Sequence, residues 1–427
     1  MWNNEIDWDK EIEESALLLN STRILVYRHL LLNQHEKKQE PKKRKAKPRR
    51  WYVRPWIEER EKYGHYHQLL PELQAKDPDT FRYYLRVDHG LFQQILERIK
   101  PHITRQDTNW KKALEPGLRL AITLRFMATG EAYKSMALNF RTAGNSISTL
   151  VPDTCEAIIT EFMKDVIVCP STPQDWKDVA EGFGSTWHFY NALGAIDGKH
   201  VAIQAPLNSG SYYFNYKGYH SIVLLALVDA RGKFMYVDVG ANGSCSDAGI
   251  FQVTHLRHAL ENNTAGLPPP APLPGDDRPV PFFILGDAAF PMREWLQKPY
   301  PQKGLRQNER NYNYRLSRAR RVVENAFGMW ANRFRVFLTT INLKPETVQK
   351  LVLASCIIHN LLRDFNPDNY RLPEHAPETP EGDWIRDPLD GLEPRPRQSG
   401  SVRAKSVRTY LTKYYNRHGN RLPWQRN

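Results

Sequence analysis

"SIVLLALVDARGKFMYVDVGANG", residues 221–243, decides the architecture. From Ser221 to Val228 the run is apolar, the pattern of a strand buried on both faces. "DARG" supplies a turn, and the run after it alternates and ends in glycine, so the two segments predict a hairpin. Upstream, "NALGAIDGKHVAIQAP" (191–206) reads as a strand with a carboxylate, Asp197, at the end of its apolar part. Downstream, "FFILGDAAF" (282–290) reads as another buried strand, closing on Asp287. Between them, "SDAGIFQVTHLRHALEN" (246–262) predicts one amphipathic helix with Ile250, Val253, Leu256 and Leu260 on one side. "LPPPAPLPGDDRPVP" (267–281) holds seven prolines and must be a loop. "RLSRARRVVENAFGMWANRFRVF" (315–337) predicts a long helix with the stripe Val323, Phe327, Trp330 and Phe334, and residues 347–365 a second one. Three strands, a helix, a strand and more helices describe an α/β layer, a mixed sheet flanked by helices.

Upstream of this layer the period is helical. Phe92, Ile95, Leu96 and Ile99 make one stripe, with Asp88 placed to cap its helix. "PGLRLAITLRFMATG" opens with Pro116 and stops at Gly130. A short helix from Met136 to Phe140, a turn holding Gly144 and a helix from about Ser146 would form a helix-turn-helix. Arg141, Asn145, Ser146 and Ser148 would then face a DNA groove or its phosphates. Residues 37–50 carry nine Lys or Arg, a solvated block that reads as a nuclear-import signal, a DNA-contacting arm or a solubilising linker. The expected organisation is a basic, largely disordered arm over 1–50 and a helical domain over 51–165. The α/β domain follows over 185–365, then a mostly disordered tail with a short basic helix over 366–427.

Composition narrows the function classes. The 427 residues hold 60 Lys and Arg against 47 Asp and Glu, a net charge of +13 that favours a polyanionic partner. Cys155, Cys169, Cys245 and Cys356 form no close pair and suit a reducing compartment. No apolar run approaches the roughly 20 residues of a membrane helix, so no membrane association is expected. No signal peptide is expected either, since "SALLLN" is short and follows acidic residues.

Three acids break the apolar patterns: Asp197, Asp287 and Glu324, the last beside the core stripe of its helix. A carboxylate drawn into apolar surroundings is costly unless paired or bound to metal. On adjacent strands Asp197 and Asp287 would repel, and a divalent cation is the natural remedy. Mg²⁺ takes hard oxygen ligands, and two such ions can clamp an in-line displacement at phosphorus. The plainer readings are a strand-end turn for each Asp and an ion pair with Arg320, four residues earlier, for Glu324.

These residues resemble the PIF/Harbinger transposases and the host nucleases derived from them. The matching stretches are "GAIDGKHV", "YKGYHSIVLLALVDARGKFMYVDVGANGSCSDAGIF", "ILGDAAFP" and "RRVVENAFGMWANRFRVF", with "RRWYVRPWIEER", "DPDTFRYYLR" and "ALNFRTAGNSIS" upstream. The resemblance implies an RNase H-like DDE catalytic domain preceded by a helical, helix-turn-helix-like domain. It implies a catalytic triad of Asp197, Asp287 and Glu324. A further family acid falls on Asp247, a residue that also suits a helix N-cap. The implied cofactor is a divalent cation, Mg²⁺ or Mn²⁺, held by Asp197, Asp287 and Glu324, with Asp247 as an added ligand. Lys199, Lys217, Arg320 and Arg321 would contact DNA, though surface solubility accounts equally for the lysines. His359 matches the family too, in a packed structural role. The implied partners are double-stranded DNA and a Myb-like (SANT/MADF) protein that aids DNA binding and nuclear entry, with oligomerisation allowed. The expected activity is metal-dependent cleavage of DNA phosphodiester bonds in the nucleus. The alternative is a domesticated, inactive DNA-binding or protein-interaction module. A ribonuclease shares the fold logic, but a helix-turn-helix favours duplex DNA.

Overall fold

The computed structural model describes residues 53–109, 112–366 and 401–422. The expected arm over 1–50, and the expected disordered stretch from 367 to 400, lie outside the described residues.

The described chain opens with helices: α1 (Pro55–Glu58), α2 (Arg60–Tyr63), α3 (Leu69–Lys76), α4 (Pro78–Leu85), α5 (His89–Ile103), α6 (Pro116–Thr129), α7 (Tyr133–Asn139), α8 (Gly144–Val166) and α9 (Pro173–Trp187). Pro116 starts α6 and Gly130, left-handed at φ 69°, ends it, as the sequence predicts. Asp88 holds the N-cap position of α5 but makes no side-chain cap bond. Residues 140–143 join α7 to α8, and Gly144 is the first residue of α8 rather than part of the turn.

The sheet follows: β1 (Ala192–Ala202), β2 (Ser221–Val228) and β3 (Phe234–Asn242). Then come α10 (Asp247–Gln252), α11 (His255–Glu261), β4 (Ala271–Pro272), β5 (Pro279–Val280), β6 (Phe283–Leu285) and β7 (Leu296–Gln297). The described chain ends with α12 (Gln307–Arg333), α13 (Pro345–Phe365) and α14 (Val402–Asn416). The main sheet has the order β3-β2-β1-β6-β7. Antiparallel pairing joins β3, β2 and β1, whereas β6 and β7 run parallel to β1. This mixed five-stranded sheet between helices is consistent with an RNase H-like DDE domain.

Every residue of β2 is buried, because it is central and both sheet faces are covered. On one face Ala195, Val201, Leu224, Val237 and Leu285 join a core that includes Leu316, Val323, Phe327 and Trp330 of α12. That core runs on into α5, α6 and α8, so sheet and N-terminal helices share one apolar interior. On the other face Leu193, Ile196, Leu225 and Ile284 pack with Trp176 of α9 and with Ile250, Phe251, Leu256 and Leu260. Buried Asn360 of α13 ties the parts together: its amide donates to the carbonyls of Val166 and Phe234, and its oxygen accepts from the Phe234 amide.

Several elements differ from expectation, each for a local reason. The single helix expected over 246–262 is two, because Thr254 caps a new start by accepting from the Arg257 amide and leaves Val253 75% exposed. The strand expected over 282–290 is only three residues long, β6. The Pro-rich loop carries a two-residue ladder, β4 with β5. The tail helix α14 is no loose appendage: Leu411, Tyr414 and Tyr415 are buried in the main core. Tyr415 lies 5.0 Å from Phe189, and its hydroxyl accepts from the Tyr190 amide at 2.9 Å.

Candidate active site

Strand register brings the first two acids together. Ala195 of β1 is paired with Leu285 of β6, and the strands are parallel. Asp197 and Asp287 each stand two residues further on, Asp197 still within β1 and Asp287 in the turn just past the end of the neighbouring β6. Asp197 is inside β1, which continues to Ala202, rather than at its end. Two residues on from Ala195, it faces the same side as Val201, the side covered by α12.

That helix supplies Glu324 and Arg320. Arg320 donates to Glu324 Oε1 at 2.7 Å and its other terminal nitrogen lies 3.6 Å from Asp197 Oδ2. The ion pair read from the sequence therefore exists, and it also bridges two of the three proposed triad members. Glu324 is the outer member, with its side chain 48% exposed, against 18% for Asp197.

Asp247 comes in from β3's far end. Ser246, not Asp247, is the N-cap of α10, its hydroxyl accepting from the Gly249 amide. Asp247 is thus released from capping and lies against β1. A Cβ on Gly198 would meet its Oδ1 at 2.0 Å, so only glycine at 198 admits this approach. Oδ1 is buried and has no hydrogen-bond partner among the described residues.

Electrostatics follow from this crowding. Burial pushes the Asp197 carboxyl up to about 7; Arg320 opposes the rise, and Asp287, Asp247 and Glu324 add to it. Burial and then Asp287 push Asp247 up to about 6, against the pull of Lys217. The four acids therefore share one field. Among the described residues no group of three His, Cys, Asp or Glu side chains is drawn together as a ready-made metal cage. The donor set is nevertheless all carboxylate oxygen, burial raises the proton affinity of Asp197 and Asp247, and one buried oxygen, Asp247 Oδ1, is unsatisfied. That chemistry fits a hard divalent cation.

Asp287 is fixed by its own turn, Oδ1 accepting from the Ala289 amide at 2.9 Å. Lys298, unremarked in the sequence, holds the same turn by donating to the carbonyls of Ala288 and Phe290, both at 2.8 Å. No sequence signal marks Lys298, because the contact crosses from the end of β7. Lys199 is half-buried on the Asp197 side of β1, and burial with Lys217 lowers its pKa. Lys217 is exposed in the loop between β1 and β2. Arg321 is partly exposed on α12.

The candidates of the helical region lie apart from this cluster. Arg141 donates to the Trp56 carbonyl at 2.8 Å and lies over the Tyr63 ring, which ties α1 and α2 to the α7–α8 connection. Asn145 is exposed in the first turn of α8. Ser146 lines a surface groove with Arg105, Lys112 and Arg119.

A model of the DDE superfamily endonuclease family matches residues 196–360, the span that holds all four acids. Those residues form a DDE superfamily endonuclease domain. The DDE domain's relatives extend the match well beyond it. "Putative nuclease HARBI1" of Mus musculus is 27% identical over 330 residues, covering 75% of this chain and 89% of that protein. Its Homo sapiens counterpart is 26% identical over 333 residues, with the same coverage. "Protein ALP1-like" of Arabidopsis thaliana is 22% identical over 299 residues, covering 68% of this chain and 72% of that one. The chain is thus homologous to "Putative nuclease HARBI1" over a span that reaches beyond its DDE domain. No solved structure matches. Among the described residues no helix is long and apolar enough to cross a membrane.

Proposed function

We propose that this protein is a metal-dependent DNA endonuclease that cleaves phosphodiester bonds at Asp197, Asp287 and Glu324. The observation that carries the reading is the convergence of Asp197 inside β1, Asp287 just past β6 and Glu324 on α12, with Asp247 lying against Gly198. Asp197, between the others, would hold two ions; Asp287 would hold one and Glu324 the other, with Asp247 as a further ligand. When bound, Mg²⁺ or Mn²⁺ supplies Lewis-acid activation of water and neutralises charge on the phosphate. The chain's own part is to fix the acids on rigid elements and to bring cations to the phosphate. Arg320 already offsets charge on Asp197 and Glu324, and a guanidinium at this position is a donor suited to a phosphate oxygen. Lys199, Lys217 and Arg321 line the approach. Double-stranded DNA is the proposed substrate on the strength of the net charge of +13 and the α7–α8 arrangement, which also supports a nuclear site of action. A Myb-like partner remains part of the proposal.

One feature favours the alternative of an inactive DNA-binding or interaction module: Arg320 pairs with both Asp197 and Glu324. Supercoiled-plasmid nicking in Mg²⁺ separates the two. Wild type should nick, and Asp197→Ala and Glu324→Ala should each lower the rate by a factor on the order of 10³. Equal nicking by all three removes the enzyme reading. Retained DNA binding without nicking by wild type favours the inactive module.

A further inference from the structure

The loop joining β1 to β2 exposes an unusual set of side chains. Tyr212 is 59% exposed, Phe214 46% and Tyr216 61%, within five residues of one another. Large aromatics are seldom left in water in such a group unless they meet a partner. This loop is built rather than loose. Asn215, 3% exposed, organises its tip: its Oδ1 accepts from the Lys217 and Tyr219 backbone amides, and its Nδ2 donates to Ser221 Oγ at 2.8 Å. Phe214 and His220 close an antiparallel bridge around that turn. The Tyr213 carbonyl accepts from the Ser221 amide at the start of β2. The aromatics are therefore held outward by a satisfied backbone, which spares them the ordering cost a mobile loop would incur on binding.

The loop also stands on the Asp247 side of β1. Tyr216 lies 5.5 Å from the ring of His200, which by alternation shares the face of Gly198, where Asp247 lies. Lys217 lies over the Tyr216 ring at 5.4 Å, and Lys199 is half-buried on β1 two residues from Asp197. From the acids outward the surface thus runs carboxylate, lysine, aromatic. Phosphate suits the lysines, and the flat face of a base suits the tyrosines.

We propose that Tyr212 and Tyr216 form a base-stacking subsite, which takes unpaired nucleotides next to the scissile phosphate while Lys199 and Lys217 hold the backbone. The inference rests on the DNA reading of the neighbouring acids and adds that the preferred DNA is locally unpaired. A protein surface, such as a second copy of this chain, would also use exposed tyrosines. The lysines between the aromatics and the acids favour nucleic acid.

Binding in Ca²⁺ tests this without turnover. The full-length chain is titrated into a labelled 30-base-pair duplex, and into the same duplex with a central four-nucleotide bubble. Wild type is expected to bind the bubble about tenfold more tightly, the scale of one base–aromatic stack. Tyr212→Ala/Tyr216→Ala should keep duplex affinity and lose the preference, and Tyr212→Phe/Tyr216→Phe should retain it. Both positions are exposed, and thermal melting verifies that the variants fold. A bubble preference that survives the alanine pair, or is absent from wild type that binds duplex, overturns the inference while leaving the DNA reading intact. Failure of wild type to bind either DNA overturns both. A dimer of wild type that the alanine pair dissociates, with unchanged DNA preference, assigns the loop to a second copy instead.

Discussion

Gly198→Ala probes the approach of Asp247 to β1. The glycine is ordinary strand, with φ outside the left-handed region, so the main chain accepts alanine. The added Cβ would stand 2.0 Å from Asp247 Oδ1 and 2.2 Å from its Cγ. To reach an ordinary contact of 3.4 Å the carboxylate must retreat by about 1.4 Å. Overpacking of this kind costs about 1–3 kcal/mol. Replacing a strand glycine by alanine returns about 0.5–1 kcal/mol. The net destabilisation should be about 0–2.5 kcal/mol, with nicking reduced because one acid is displaced. Asp247→Ala removes the obstacle and sacrifices no hydrogen bond at Oδ1. In that background Gly198→Ala should be neutral or stabilising, a coupling of about 1–3 kcal/mol in a double-mutant cycle. Urea unfolding followed by tryptophan fluorescence measures all four proteins. The same cost for Gly198→Ala in both backgrounds, within about 0.5 kcal/mol, refutes the contact.

Two further outcomes are expected. His359, 2% exposed, donates from Nε2 to the Gly232 carbonyl, and burial pushes its pKa from 6.5 down to about 3. The unfolded chain takes up a proton that the folded chain refuses, so this stability is present in full above pH 6.5 and falls with pH toward 3. His359→Gln should remove about 1.4 kcal/mol per pH unit from the slope of stability between pH 4 and 6, and an unchanged slope in urea titrations counts against it. Tyr415→Ala should cost about 3–5 kcal/mol and Tyr415→Phe only about 1 kcal/mol; a neutral alanine in the same assay would mean that α14 does not dock.

Legibility in the sequence followed the range of the interaction. The β2–β3 hairpin and the limits of α6 are written in local patterns, an apolar run, a turn, a proline and a glycine. Asp197, Asp287 and Glu324 stood out because each interrupts such a pattern. Asp247 was ambiguous, since both Ser246 and Asp247 can cap a helix and only the fold decides between them. The break at Val253 was hidden because the apolar spacing continues across it, while the Thr254 cap ends the first helix. β7, Lys298 and the burial of α14 depend on contacts between distant segments, which no local period encodes.

The parallel pairing of β1 with β6 has a consequence for assembly. Hairpins β1–β2 and β2–β3 close short loops and can form early, whereas β6 reaches β1 only after a loop of about 80 residues closes. Contacts of such sequence separation slow folding. Asp197 lies in the hairpin half of the sheet and Asp247 follows β3 at the start of α10, whereas Asp287 follows the distant β6. The carboxylate cluster, with its mutual repulsion, is therefore completed near the end of folding, when enough apolar surface is already covered to hold the acids together.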